Sequence, residues 1–296
     1  MTACRLAAFT LAAGLIWGPA IPAAGADTVK GEYIFRASGG CSCHTKPEDQ
    51  GGRGAPDYLA GGRALKTPFG TFFSTNITPD KDSGIGGWTR DDFVRSMSAG
   101  VHKNGQYLYP VFPFTSFTRM SEDDLGNMFD YLQTIPAIER KNQPHDVMFP
   151  MSIRLTLLPW RWMFLDQKKF TPDAAKAPEL NRGDYLVNAV AHCGECHTAR
   201  NILGGVRKDL FLAGSKDGPE GIKSPNITPD KATGIGDWSI ADISFYLKTG
   251  MTPGGDFAGS VMAEVIDEGY KHLSDADLGA IAAYLKSVKA IENKLD

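Results

Sequence analysis

The 296-residue chain has no apolar run long enough to cross a membrane, no excess of positive charge and only five cysteines. Its main apolar stretch, Leu6 to Ile16, holds eleven residues, well short of the ~20 that a bilayer-spanning helix needs. Lys and Arg total 31 against 34 Asp and Glu. The net charge of −3 therefore offers no broad positive field for a nucleic-acid backbone, and nucleic-acid binding is set aside. The period-two alternation of strands is scarce as well. What remains is a globular composition, 42% hydrophobic and 22% charged with 33 Gly and 18 Pro, and a chain predicted to be mainly α with long loops.

Residues 1–26 read differently from the rest. Arg5 precedes the apolar run, Pro19 and Pro22 follow it, and Ala24-Gly25-Ala26 supplies a small-residue cleavage site. This pattern predicts a secretory signal peptide cut after Ala26, and a periplasmic mature protein. Cleavage removes Cys4 and leaves two close pairs, Cys41 with Cys43 and Cys193 with Cys196. An exported chain can form disulfides, but each pair is followed at once by a histidine, a neighbour for which a structural disulfide has no use.

The rest of the chain is a duplication. Ser74-Thr75-Asn76-Ile77-Thr78-Pro79-Asp80-Lys81 returns 150 positions later as Ser224-Pro225-Asn226-Ile227-Thr228-Pro229-Asp230-Lys231. Gly84-Ile85-Gly86-Gly87-Trp88 returns at the same offset, and Ser121 to Leu132 matches Ser274 to Leu285 at 153. In each copy a capping serine, Ser121 or Ser274, is followed at the third helical position by Asp124 or Asp277. The stripes Leu125, Met128, Phe129, Leu132 and Leu278, Ile281, Ala282, Leu285 then give each last helix its buried face. Thr89 with Asp92 and Ser239 with Asp242 predict a middle helix in each copy. The expected layout is a first domain over 27–137, a connector over 138–180 and a second domain over 181–296. The connector, rich in Met, Phe and Trp around Trp160 to Phe164, is expected to pack between the domains rather than to form a docking patch.

Cys193-Gly194-Glu195-Cys196-His197 is a C-x-x-C-H motif, the attachment signal for c-type haem. Residues i and i+3 lie about 60° apart around a helix, so both sulfurs face one porphyrin edge and the adjacent histidine reaches the iron. A thioredoxin-type dithiol would need a strand-helix-strand setting that the pattern lacks. A zinc site drawing on both motifs is the other rival. The counterpart in the first copy, Cys41-Ser42-Cys43-His44, is one residue short. There His44 is expected as iron ligand and Cys43 as thioether. Cys41 is either the second thioether, if the backbone at Gly39-Gly40-Cys41 leaves helical geometry, or a free thiol. A sixth ligand is needed as well, commonly a methionine sulfur. Met262, in the Gly-rich loop Phe257-Ala258-Gly259-Ser260-Val261-Met262 expected ahead of the last helix, is the candidate in copy two, with Met251 as its rival. The matching loop of copy one, Leu108 to Phe114, contains no methionine, which leaves Met120, Met97, His102 or an iron without a sixth ligand.

These two motifs, the Tyr109-Pro110-Val111-Phe112-Pro113-Phe114 loop and the doubled Asn-Ile-Thr-Pro-Asp and Gly-Ile-Gly-x-Trp segments resemble the diheme c-type cytochromes. The likeness is to cytochrome subunits of bacterial membrane-associated alcohol, gluconate and related dehydrogenases. The resemblance implies two tandem cytochrome c domains, each with a covalent haem c. It implies electrons taken from a partner dehydrogenase and passed to a respiratory acceptor, whether quinone, cytochrome or oxidase, with peripheral membrane association through the partner left open. In that family the first loop often reads Pro-Ala-Met-Pro-Tyr; here Phe112 stands where its methionine would. The rival class is a diheme enzyme acting on peroxide or a sulfur compound at an open first iron.

Overall fold

The structure, a computed structural model, describes residues 27–46 and 55–295. The expected signal peptide lies outside the described residues. Helices dominate. In chain order they are α1 (Thr28–Ala37), α2 (Arg90–Ala99), α3 (Phe114–Phe117), α4 (Glu122–Leu132), α5 (Leu157–Phe164), α6 (Pro178–Tyr185), α7 (Cys193–Cys196), α8 (Ile240–Thr249), α9 (Ser260–Glu268) and α10 (Asp275–Ser287). The sequence repeat is a structural repeat: α1 packs on α4 as α6 packs on α10, and α2 packs on α4 as α8 packs on α10. A glycine permits each first crossing. A Cβ on Gly31 would lie 2.0 Å from the Asn127 carbonyl oxygen, and one on Gly183 would lie 2.1 Å from that of Ala280.

The expected helix starts are present. Thr89 and Ser239 form full capping boxes with Asp92 and Asp242, while Ser121 and Ser274 accept from the backbone N–H of Asp124 and Asp277. The predicted stripes on α4 and α10 are buried. The Asn-Ile-Thr-Pro-Asp loops are held in the same way in both halves. Asn76 Nδ2 donates to the Ile138 carbonyl at 2.7 Å while its Oδ1 accepts from Thr78, and Asn226 does the same with Ile291 and Thr228. Each loop is thereby tied to the chain leaving the last helix of its half.

Two features differ from expectation. A small antiparallel sheet runs β1 (Ala64–Thr67), β2 (Gly70–Phe73), β3 (Asp146–Val147). Its strands are too short to show a period, and β3 comes from the connector. The connector itself is two-faced. On α5, Leu157 and Trp160 are buried, Trp160 Nε1 donating to the Leu203 carbonyl and Arg161 to that of Ala99, so this face does pack between the halves. The rest of the connector is more open, with Trp162 on α5 87% exposed and Phe149, ahead of α5, 80% exposed.

One hydrophobic cluster runs through both halves, from Phe35 and Leu125 to Val187 and Ile281. The halves also exchange hydrogen bonds reciprocally. Tyr33 Oη donates to Asp277 Oδ2 at 2.6 Å and accepts from the Ser274 N–H. Tyr185 Oη donates to Asp124 Oδ2 at 2.5 Å and accepts from the Ser121 N–H. The carboxylates at the starts of the last helices thus each accept from a tyrosine of the opposite half, while Lys30 and Arg182, each from the same half as its carboxylate, complete them.

Candidate functional site

Both Cys-His motifs sit just beyond the first helix of their half. In copy two α6 widens into a π-helical turn, Leu186–Val190, and the backbone then turns left-handed at His192 (φ 43°) before α7 presents Cys193 and Cys196. In copy one Gly39, Gly40 and Cys41 all have positive φ, at 80°, 64° and 51°. The backbone of the shortened motif therefore leaves helical geometry, as a second thioether at Cys41 requires, and glycine makes two of the three positions inexpensive.

The two histidines are placed alike. His44 Nδ1 donates to the Thr75 carbonyl at 2.7 Å, and His197 Nδ1 donates to that of Pro225 at 2.8 Å. Thr75 and Pro225 occupy the same position in the repeated loops, so the strongest sequence repeat supplies each carbonyl. This bond fixes the proton on Nδ1 and leaves Nε2 with its lone pair available to a metal. Burial lowers the pKa of both rings, outweighing the carbonyl bond that would raise it, so both are the neutral, ligating form. The loop after each motif repeats as well: Thr45 Oγ1 accepts from the Leu59 N–H and Thr198 Oγ1 from that of Leu212, both at 3.0 Å.

No disulfide joins the four cysteines of the two motifs, and each is half-buried. Burial pushes Cys41, Cys193 and Cys196 up to about 12, with Cys43 adding to the rise at Cys196. Burial raises Cys43 too, with Arg63 opposing it. Among the described residues no group of three or more His, Cys, Asp or Glu converges on a metal position. Each half instead offers two thiols, one histidine with a free Nε2 and an apolar surround, a donor set that fits a porphyrin held by thioethers. A buried hydroxyl, Tyr58 Oη, has no partner among the described residues. Cys41 and Arg36 lie near enough to perturb its pKa, so a bound group with polar arms could satisfy it there.

Each motif is covered by the other half. α9 packs on the Gly39–His44 turn, and Arg36 donates to the Glu268 carbonyl at 2.8 Å. Reciprocally, Thr115 and Ser116 on α3 donate to Glu195, inside the second motif, at 2.7 and 2.6 Å, and Phe117 meets the His192 ring edge-on at 5.1 Å. Neither Glu195 nor His192 stood out in the sequence, because their partners lie in the other copy. Met262 is on the first turn of α9 rather than in a loop, half-buried against the core. Its helix has a glycine N-cap without a side-chain bond, so no start signal marked it. Met120 is 0% exposed, and Leu273, at its position in the repeat, is 2% exposed.

No protein-family model matches the chain. It is 44% identical over 267 residues to a diheme cytochrome c-type protein of Cereibacter sphaeroides, covering 90% of this chain and 87% of the relative. The chain belongs to the diheme c-type cytochromes. This diheme cytochrome is also 38% identical to a fructose dehydrogenase cytochrome subunit of Gluconobacter japonicus. That match spans 88% of this chain and 52% of the relative. A gluconate 2-dehydrogenase cytochrome c subunit of Pantoea cypripedii is likewise 38% identical, over 88% of this chain and 59% of the relative. The chain thus spans little more than half the length of those two subunits. Two covalently bound haem c groups follow from the family, and the donor sets above fit them.

Proposed function

We propose that this cytochrome is a two-centre electron carrier of the bacterial periplasm. Residues 27–137 and 181–296 act as tandem cytochrome c domains joined by 138–180. In the first, Cys41 and Cys43 form the thioethers and His44 binds the iron. In the second, Cys193, Cys196 and His197 do so, with Met262 as sixth ligand. When bound, each haem supplies an iron that cycles between ferrous and ferric states, and the protein tunes potential and access.

The observation that carries this reading is the mutual packing of the motifs. Each is roofed by a helix of the other half, and Cys43 lies near enough to Cys196 to shift its pKa. Two redox groups held that way exchange electrons without a partner moving between them. The dehydrogenase subunits among the relatives support a dehydrogenase as donor. A quinone, cytochrome or oxidase of the respiratory chain is the acceptor, and export by the N-terminal segment delivers the chain to them. The rival is peroxide or sulfur turnover at the first haem, and the described loop matched to the Met262 segment offers it no acid-base group. The Pro110-Val111-Phe112-Pro113-Phe114 segment carries none, and His102 Nδ1 is occupied by the Asn104 N–H in a turn of its own.

Anaerobic titration of the purified holoprotein with dithionite tests the proposal. Two reversible one-electron steps and no consumption of added hydrogen peroxide are expected. Sustained peroxide turnover would replace the carrier with an enzyme.

A further inference from the structure

The repeat allows each candidate ligand of the first haem to be compared with its counterpart in the second copy. The hairpin before each candidate loop is the same, Val101 bridging Tyr107 as Met251 bridges Phe257, at an offset of 150. Continuing in that register, Met262 pairs with Phe112, and both are half-buried against the core. Phe112 stacks obliquely on Phe117 with ring centroids 5.7 Å apart. It has no atom that coordinates iron.

The methionines within copy one have other work. Met97, Met120 and Met128 occupy the repeat positions of Leu247, Leu273 and Ile281, and each is buried as deeply as that apolar counterpart. Met120 is wholly enclosed by protein and presents no surface to a further group. Residues 47–54, outside the described set, contain no Met, His, Cys or Lys. Two of the remaining histidines are excluded by tautomer. His102 Nδ1 accepts from the Asn104 N–H and His145 Nδ1 from the Phe73 N–H, so each ring carries its proton on Nε2 and has no second lone pair to give.

We propose that the iron bound by His44 keeps one coordination position free of protein, because Phe112 stands where copy two has Met262, and that this position takes a small exogenous ligand such as carbon monoxide. Binding is donation of the ligand's lone pair to ferrous iron; no bond breaks and no electron is consumed. The inference rests on the haem assignment proposed above. It goes beyond that assignment by making the two haems chemically unequal, one closed by a methionine and one open.

Carbon monoxide titration of the dithionite-reduced holoprotein, with haem counted independently by pyridine haemochrome, tests it. The wild type should bind one carbon monoxide per two haems, and its oxidised spectrum should combine one high-spin haem with one methionine-ligated low-spin haem. Phe112→Met should abolish carbon monoxide binding and double the methionine–iron charge-transfer band. Met262→Phe should raise the stoichiometry to two per chain. A two-haem wild type that binds no carbon monoxide overturns the open site while leaving the haem assignment intact. A preparation with one haem or none overturns the assignment itself.

Discussion

Cys41 is the residue on which the first motif turns. On a regular helix its sulfur would point about 200° away from that of Cys43, but the left-handed run at Gly39, Gly40 and Cys41 removes that constraint. Cys41→Ala should therefore leave the haem attached through Cys43 alone. The pyridine haemochrome band should shift to the red because one vinyl group stays unsaturated, and the tryptic peptide should retain the mass of one haem. An unshifted band would show that Cys41 is a free thiol. At this scale the sequence was most informative. A motif names its own chemistry when the atoms it needs lie within five residues, and the carbonyl partners of His44 and His197 fall in the most strongly repeated loop. His192 and Glu195 were not legible, since what they touch, Phe117, Thr115 and Ser116, lies about 80 positions away.

Helices were legible where a cap and a stripe coincided, as at Ser121 and Ser274, and not where one was missing, as at the glycine-capped α9. The three-stranded sheet escaped because its register depends on a connector segment rather than on any local period. Two predictions belong to elements. Gly31→Ala would drive a methyl into the Asn127 carbonyl at the α1–α4 crossing. It should cost about 1–3 kcal/mol of unfolding free energy, the usual range for overpacking, read as a lower urea midpoint; an unchanged midpoint would mean that the helices part without penalty. The second concerns Asp277 at the start of α10. Burial would raise its pKa, but hydrogen bonds from Arg182 and Tyr33 outweigh that and hold it below the ordinary carboxylate range. A depressed native pKa gives stability that is present above the unfolded value of about 3.9 and lost as pH falls through the native one. The wild type should therefore lose more stability than Asp277→Asn between pH 5 and the acid limit, as judged by thermal unfolding across that range. Parallel loss in the two proteins would contradict the assignment.

At the scale of the whole molecule the two halves share a core, trade tyrosine–aspartate bonds and roof each other's motifs. Arg63 is part of the same seam. Its buried guanidinium meets Glu220 and Glu264 of the second half, each at 2.5 Å. Arg63→Met would leave two carboxylates without their cation and should destabilise the protein by about 3–5 kcal/mol. Double replacement with Glu264→Gln should recover part of that loss; no recovery would mean that the cost lies in packing and not in charge. The sequence announced the duplication but not this interlocking, because no repeat reveals which surfaces of its copies meet.

The account stands on one haem in each half, held by the paired thiols. Mass analysis of the exported, mature chain and of its tryptic peptides measures this directly. The expected result is the polypeptide plus two haems, one carried on the peptide with Cys41 and Cys43 and one on that with Cys193 and Cys196. A chain of unmodified mass, or one whose cysteines are joined to each other, would contradict it.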